Sequence, residues 1–362
     1  MGTTTVRLLQ LAGTERDLRV VDAAKFVIPQ DVRVLPERRR EVVTGGIRRI
    51  LKEHRFRGSE VVMSLAPGQL AIRNVRLPKM PAEELATAVN WEAQNRFPFD
   101  TATAVIQYLP AGEVRQGDQL LDEIIILAAP RAEVDARIQW AREAGLEVVS
   151  LDAGPCAVFR GFERFLHRRE DQDAVSVMVD IGAQSTVLIA CGRDIVFVKM
   201  IPIGGSVFNR AVSECLDLAV TEAEALRRRL GRRLRGAPGA DAADEDADRV
   251  SQAVADAIRP HMEDLANEIT LCLRYYSVSF RGPRPESVMF TGGEAHNIDI
   301  PTSLGRRLGV EVRLGDLLQS VKADHLGPEP DRRGDLVEWT TAFGLSLKGF
   351  HLAAQLAAGS VS

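Results

Sequence analysis

The chain has 362 residues, 45% of them hydrophobic and 27% charged, which is ordinary for a globular protein large enough for two lobes. A formal net charge of −4 argues against a nucleic-acid-binding protein. The six histidines and four cysteines are scattered and no signal peptide is recognisable, which indicates a reduced, cytoplasmic setting without a zinc site. No apolar run approaches the roughly 18 residues that a membrane-spanning helix needs.

Strand and helix patterns alternate through the first part of the chain. Strands are predicted at 18–29, 60–66, 120–129 and 146–152, and helices at 37–54, 131–144 and 153–166. A further helix is predicted after Pro81, because proline suits a first helical turn and Glu83 and Glu84 follow near the positive end of the helix dipole. The β-β-α-β order within 68–150 indicates a small α+β module inserted into the first lobe.

Three aromatic residues of this module, Trp91, Phe97 and Phe99, have two interpretations. They line a groove for a partner, or they fill the small core of the module. The sequence alone does not decide between these interpretations.

Three apolar runs, Val175–Asp180, Thr186–Cys191 and Ile195–Ile201, are typical of strands separated by turns. Both faces of these strands are apolar, so we expect the sheet to be covered on both sides. The turn between the first two strands holds only small residues after Ile181, and such a turn can present several backbone N–H groups to a phosphate. Asp180 at the strand end fits this site if Mg²⁺ lies between the carboxylate and the phosphate, since Mg²⁺ takes few protein ligands.

Two Gly-Gly pairs follow this hairpin. Gly204-Gly205 precedes a helix predicted from Ser206, and an apolar strand at 288–291 ends in Gly292-Gly293. The first turn alone also fits a plain hairpin. Two glycine-tipped strands about a hundred residues apart favour two walls of a nucleotide cleft.

Four motifs occur in a set order: V-x-V-D-I-G-A-x-x-T, I-P-I-G-G, T-E-A-E-A-L-R and F-T-G-G-E-A. In this the chain resembles the actin-like ATPase superfamily, and within it the PilM family of type IV pilus assembly proteins, with FtsA next. The resemblance implies an α/β, actin-like ATPase fold with two lobes, 1–165 and 166–362, around a nucleotide cleft. The inserted subdomain spans about 68–150, and the acidic, Ala/Gly-rich stretch 235–248 is expected to be a mobile loop.

The resemblance and the glycine turns together predict ATP and Mg²⁺ as ligands. The predicted nucleotide-binding residues are Gly2, Thr3, Thr4, Asp180, Gly182, Ala183, Gln184, Ser185, Gly204, Gly205, Glu224, Arg227, Gly292 and Gly293. Asp180 is expected to hold Mg²⁺ through water. In the family, residues matching Glu224 and Arg227 flank the adenosine, with lysine usual at the second position. Glu224 also fits a capping box that opens at Thr221.

Residues 2–11 echo residues 182–189, as expected for a duplicated, two-lobed fold. The family places a strand and an aspartate before the first glycine, whereas this chain begins at Met1. A wrongly assigned start codon or a truncation is therefore expected, and upstream coding sequence for such a strand would support it.

Three functions fit these features. The first is a cytoplasmic pilus assembly factor that binds Mg-ATP and docks on the cytoplasmic N-terminal segment of a PilN-like inner-membrane protein, reaching the membrane only indirectly. It is expected to be at most a slow ATPase, because no residue clearly positions the attacking water. The second is an FtsA-like filament protein, although the segment after Gly349 lacks the Lys and Arg of a membrane-binding helix. The third is a sugar or acetate kinase. Self-association is left open.

Overall fold

The computed structural model describes residues 1–14, 17–166, 174–234, 245–297, 299–315, 317, 321 and 336–359. Residues 235–244 of the predicted acidic loop lie outside the described residues. The elements in chain order are β1 (Thr5–Thr14), β2 (Asp17–Val27), α1 (Gln30–Arg33), α2 (Pro36–Glu53), β3 (Glu60–Ser64), β4 (Ala71–Pro78), α3 (Ala82–Arg96), β5 (Ala104–Gln116), β6 (Gln119–Pro130), α4 (Arg131–Glu143), β7 (Glu147–Asp152), α5 (Gly154–Glu163), β8 (Val175–Ile181), β9 (Ser185–Cys191), β10 (Asp194–Ile201), α6 (Gly205–Leu216), α7 (Val220–Leu234), α8 (Glu245–Phe280), β11 (Ser287–Thr291), α9 (Asp299–Leu308), β12 (Glu311–Leu314) and α10 (Thr340–Gly359), with short 3₁₀ turns at Thr101–Thr103 and Leu336–Trp339.

The second lobe is built on a five-stranded sheet with the order β10-β9-β8-β11-β12. Strands β8, β9 and β10 form an antiparallel meander, and β11 lies parallel to both β8 and β12. In this register Thr291, the last residue of β11, stands beside Asp180. The two glycine-tipped strands of the sequence are therefore neighbours, and their tips meet at one edge of the sheet.

Helices cover both faces of this sheet, as its apolar strands predict. Val177 and Val179 point into a core with Leu265 of α8. Met178, which lies between them in the strand, points the other way and packs in a second core with Phe343 of α10. Because side chains alternate between the faces of a strand, a run that is apolar at every position needs two cores. The prediction of a doubly covered sheet is confirmed.

Outside the inserted module, the described residues of the first lobe form two separate strand pairs. Strands β1 and β2 are antiparallel, and β3 and β7 are parallel. Helix α10 contacts both β1 and β3. In the second lobe β8 pairs with β9 on one side and with β11 on the other, and so joins the strands into one sheet. Among the described residues of the first lobe, no strand lies between β1 and β3 in this way. The expectation about residues preceding Met1 stays a prediction.

The inserted module contains a three-stranded antiparallel sheet with the order β4-β6-β5, covered on one face by α3. The structure places α4 and β7, which the sequence assigned to this module, against α2 and β3. Phe97 and Phe99 lie in the core of the module with their rings stacked at 5.6 Å. Trp91 is 62% exposed on α3, so only two of the three aromatic residues fill the core.

A polar junction joins this module to the second lobe. Glu123 of β6 is fully buried and accepts hydrogen bonds from the Tyr275 hydroxyl of α8, at 2.6 Å, and from Arg76 Nε, at 3.2 Å. Arg76 also donates to Ser279 Oγ at 2.6 Å. Burial raises the pKa of Glu123, although Tyr275 and Arg76 both act to lower it. Because a buried carboxylate without partners is costly, these contacts fix the module against α8.

Candidate functional site

A cavity of about 480 Å³ lies between the lobes, within the size range of small-molecule sites. Its wall includes the turn before β1, the β8–β9 turn, the first turn of α6, the turn after β11 and the start of α10. Ten of the fourteen predicted nucleotide-binding residues line it: Gly2, Thr3, Thr4, Asp180, Gly182, Ala183, Gly205, Glu224, Gly292 and Gly293. The structure thus brings together segments that are far apart in the sequence.

The β8–β9 turn packs directly against the start of α6. The Gly182 N–H donates to Gln184 O at 3.0 Å and tightens the turn. The Gly205 N–H donates to Gly182 O at 2.8 Å, and the Ser206 N–H donates to Ala183 O at 3.1 Å. Carbonyl groups of the turn therefore satisfy N–H groups at the start of this helix.

Four predicted residues, Gln184, Ser185, Gly204 and Arg227, are not on the cavity wall that the structure describes. Ser185 is buried, and its hydroxyl donates to Ile203 O at 2.6 Å. A Cβ at Gly204 would lie 2.8 Å from Gly182 O, so this glycine permits the close approach of α6 to the hairpin. Ser185 and Gly204 therefore support the β8–β9 turn without lining the cavity.

Gly292 joins the tips of β11 and β8. It has a φ of +94°, and a Cβ there would lie 2.2 Å from Asp180 Oδ1 and 2.6 Å from Ile181 O. The Glu294 N–H donates to the same Ile181 carbonyl at 2.8 Å. Only glycine combines this backbone conformation with this close approach. Gly292 therefore sets the position of Asp180 at the cavity.

Asp180 is the carboxylate at the point where these turns meet. Burial raises its pKa from 3.8 to about 6, and nearby Arg7 acts to lower it. The carboxyl group is thus ionised at neutral pH and can hold a cation. No group of three or more His, Cys, Asp or Glu residues suited to a metal occurs in the described part of the chain. One buried carboxylate is compatible with a Mg²⁺ ion held through water, because Mg²⁺ needs few protein ligands.

Five charged residues on the cavity wall were missed by the sequence analysis, and three of them, Arg7, Lys25 and Glu338, interact with one another. Glu338 accepts a hydrogen bond from Arg7 and another from Lys25, whose Nζ lies 2.5 Å from Glu338 Oε1. One sequence signal was available for Arg7. In the internal repeat it takes the place of Val187, so a charge stands where the other copy is apolar. Lys25 and Glu338 carry no comparable local signal.

The cavity wall also carries an ion-pair network that links the lobes. Glu224 Oε2 accepts from Arg33 Nη1 of the first lobe at 2.9 Å, and Glu224 Oε1 pairs with Arg228 Nη2 at 2.9 Å. Arg228 lines the cavity. Arg227 lies behind the wall, where it bonds Asn209 Oδ1 at 2.5 Å and pairs with Glu294. The assignment of Arg227 to adenosine stays a prediction.

The predicted capping box at Thr221 is wrong. Helix α7 begins at Val220, one residue before Thr221. The Ala219 N–H donates to Glu222 Oε2 at 3.0 Å, so Glu222 satisfies a backbone donor before the helix. Glu224 instead lines the cavity and pairs with Arg33 and Arg228. The roles of these two glutamates are therefore separated by tertiary packing, which a capping pattern does not include.

The two lobes, the cleft between them and the paired glycine-tipped strands define the class: an actin-like ATPase fold, as expected. The model of the family "Type IV pilus assembly protein PilM" matches residues 1–350, and the chain belongs to this family. No curated protein sequence matches the chain.

Two solved structures show the same fold. A PilM-PilN type IV pilus biogenesis complex superposes with a TM-score of 0.77 at 24% identity, covering 96% of each chain. The ethanolamine utilization protein EutJ from Carboxydothermus hydrogenoformans gives a TM-score of 0.52 at 14% identity, covering 96% of this chain and 86% of its own. Among the helices that the structure describes, none has the length and apolar character to cross a bilayer.

Proposed function

We propose that this chain binds Mg-ATP in the cleft and acts as a cytoplasmic assembly factor of a type IV pilus, or of a related secretion or competence machine. The observation that carries the nucleotide proposal is the position of Asp180 where three glycine turns converge on one cavity. Family membership favours pilus assembly over the FtsA-like filament and small-molecule kinase alternatives.

The residues on the wall fit the parts of a nucleotide. The turns at 2–4 and 182–183 would hold the phosphates from opposite lobes, and Asp180 would orient the Mg²⁺ ion. The turn at 292–293 and the ionic groups of Glu224 and Arg228 would flank the nucleoside. When bound, Mg²⁺ would offset the negative charge of the phosphates.

We propose binding with slow turnover at most. The cavity wall carries three glutamates besides Asp180, and each is paired with a cation. Glu224 pairs with Arg33 and Arg228, Glu294 with Arg227, and Glu338 with Arg7 and Lys25. A glutamate held in an ion pair is a weak general base, so rapid activation of a water molecule is not expected.

A thermal melt tests nucleotide binding. At a hundredfold excess over Kd, Mg-ATP should add about 2.7 kcal/mol to the unfolding free energy. For a chain of this length that is a rise of roughly 3 °C in the midpoint. ATP with a chelator of Mg²⁺ should give a smaller rise in the midpoint, because the proposed contact between Asp180 and the phosphates is made through the metal. No rise with Mg-ATP at saturating concentration would rule out the proposed site and leave partner docking as the function.

We further propose that the partner is the cytoplasmic N-terminal segment of a PilN-like inner-membrane protein, through which the chain reaches the membrane. The exposed indole of Trp91 supports a docking surface on α3. A groove along α3 is lined by Asn90, Gln94, the start of β5 and Arg131, and Trp91 itself does not line it. An exposed tryptophan is a frequent anchor residue at protein interfaces. The likeness to a PilM-PilN complex is consistent with such a partner.

Replacement of Trp91 by alanine should weaken binding of a PilN-like N-terminal peptide by roughly thirtyfold, as for a tryptophan that contributes about 2 kcal/mol at an interface. Leu120→Ala is the matched control, since Leu120 is also an exposed apolar residue of the inserted module, at 43%. Fluorescence anisotropy of a labelled peptide measures both. Equal affinity in the wild type and Trp91→Ala would exclude α3 as the docking surface.

A further inference from the structure

Glu338 bridges two cations inside the cleft. Its carboxylate receives one hydrogen bond from Arg7 and one from Lys25, so the two residues share a single counter-charge. All three side chains are largely buried, with exposed fractions of 21% for Arg7, 28% for Lys25 and 10% for Glu338. Burial alone would raise the pKa of Glu338, but Arg7 and Lys25 lower it below its usual range. The carboxylate is therefore a firmly ionised group at neutral pH.

The positions of the two cations suit a larger anion. Arg7 lies on the strand that follows the 2–4 turn. Its Nη2 lies 3.7 Å from the position that a Cβ would occupy on Gly293. The Arg7 Nε is buried and has no hydrogen-bond partner among the residues that the structure describes. A guanidinium with a buried Nε–H that is not hydrogen-bonded to any described residue, close enough to Asp180 to lower the pKa of that carboxyl group, has capacity left for a polyanion.

The backbone of Glu338 is anchored to the tip of β11. Val337 O accepts hydrogen bonds from the Gly292 N–H, at 3.1 Å, and from Thr291 Oγ1, at 2.7 Å. These bonds hold the 3₁₀ turn at the cavity. A change in the contacts of Glu338 therefore needs only a side-chain rotation.

We propose that Glu338 is an internal substitute for a nucleotide phosphate, which holds Arg7 and Lys25 before a nucleotide binds and must be displaced when it does. This inference rests on the proposed nucleotide site. A phosphate that enters beside Glu338 meets its negative charge, and the donors of both cations are already engaged. Nucleotide binding then has to break two charge-assisted hydrogen bonds, which lowers the affinity of the cleft for ATP.

Replacement of Glu338 by glutamine removes the charge and keeps the shape. Glu338→Gln should lower the Kd for Mg-ATP roughly tenfold, because close like charges in a partly buried site repel strongly. The gain should shrink in about 1 M salt, where charges are screened within a few ångströms. Glu338→Asp, which has a shorter reach to the two cations, should give an intermediate Kd. Isothermal titration calorimetry measures each variant.

Glu268→Gln is the matched control for the loss of one carboxylate. Glu268 pairs with Lys199 at 2.7 Å, and neither residue lines the cavity. This variant should bind Mg-ATP like the wild type. If Glu338→Gln does not fold, the Kd of Glu338→Asp for Mg-ATP is compared with that of the wild type instead.

The results separate the inference from the proposed function. Tighter binding by Glu338→Gln than by Glu268→Gln supports the inference. Wild-type binding of Mg-ATP with equal or weaker binding by both Glu338 variants overturns the inference and leaves the nucleotide site standing. Absence of binding by the wild type and by every variant overturns the proposed function itself.

Discussion

Asp180→Asn is expected to weaken Mg-ATP binding at least tenfold while the protein stays folded. The amide keeps the size of the side chain but lacks the charge that orients Mg²⁺ beside the phosphates. Because it also removes a buried carboxylate whose pKa is raised, the variant should be as stable as the wild type or more stable at neutral pH. Calorimetric titration with Mg-ATP and a thermal melt measure the two effects. Unchanged affinity in a folded Asp180→Asn would exclude the metal role.

The difference in stability between the wild type and Asp180→Asn should depend on pH, with a sign that follows from the direction of the Asp180 pKa shift. Burial raises the pKa of Asp180 from 3.8 to about 6, so between these values the folded chain holds a proton that the unfolded chain has lost. The stabilising effect of that proton is present near pH 4 and is lost as the pH rises through about 6. The wild type should therefore gain stability relative to Asp180→Asn as the pH falls from 7 to 4. Its affinity for Mg-ATP should fall over the same range, because a protonated Asp180 cannot orient the cation.

Gly344→Ala is expected to destabilise the protein by about 3 kcal/mol or more. Gly344 lies in α10 where that helix crosses α5, and a Cβ there would stand 1.7 Å from Ala157 O and 2.5 Å from Ala157 C. These are backbone atoms of a buried helix, so no side-chain rotation can relieve the overlap. Overpacking of a core typically costs about 1–3 kcal/mol, and a clash with rigid backbone belongs at or above that range. Chemical denaturation measures the unfolding free energy.

Gly349→Ala is the control in the same helix. A Cβ at Gly349 would meet only Val62 Cγ2, at 3.4 Å, which is close to ordinary contact. Alanine is a better helix former than glycine by up to about 1 kcal/mol, so this variant should be as stable as the wild type or slightly more stable. The same loss of stability in both variants would show that a cause other than the α5–α10 contact governs the result.

The sheet of the second lobe could be predicted from the sequence because its strands are apolar on both faces and bounded by Gly and Asp. Strand β4 was missed for the opposite reason. Its Asn74 and Arg76 are polar, yet Asn74 exchanges hydrogen bonds with Val198 of β10, and Arg76 reaches α8. A strand whose polar side chains form hydrogen bonds with partners far away in the sequence does not show apolar alternation.

The cavity wall was only partly predictable for a similar reason. Glycines and Asp180 stand in local motifs, so their place could be inferred from short-range pattern. Arg228, rather than Arg227, faces the cleft because of the rotation of α7 about its axis, which tertiary packing decides. Glu338 reaches the site only because α10 returns to β1 and β3. A short sequence motif carries no information about such long-range contacts.

The most direct test of the central claim is an experimental structure of this protein with Mg²⁺ and a non-hydrolysable ATP analogue. We expect phosphate density between the turns at 2–4 and 182–183, a metal ion within one water molecule of Asp180, and Glu338 turned away from Arg7 and Lys25. Nucleotide density outside this cleft, or no nucleotide density in the cleft at saturating nucleotide, would contradict the proposed site.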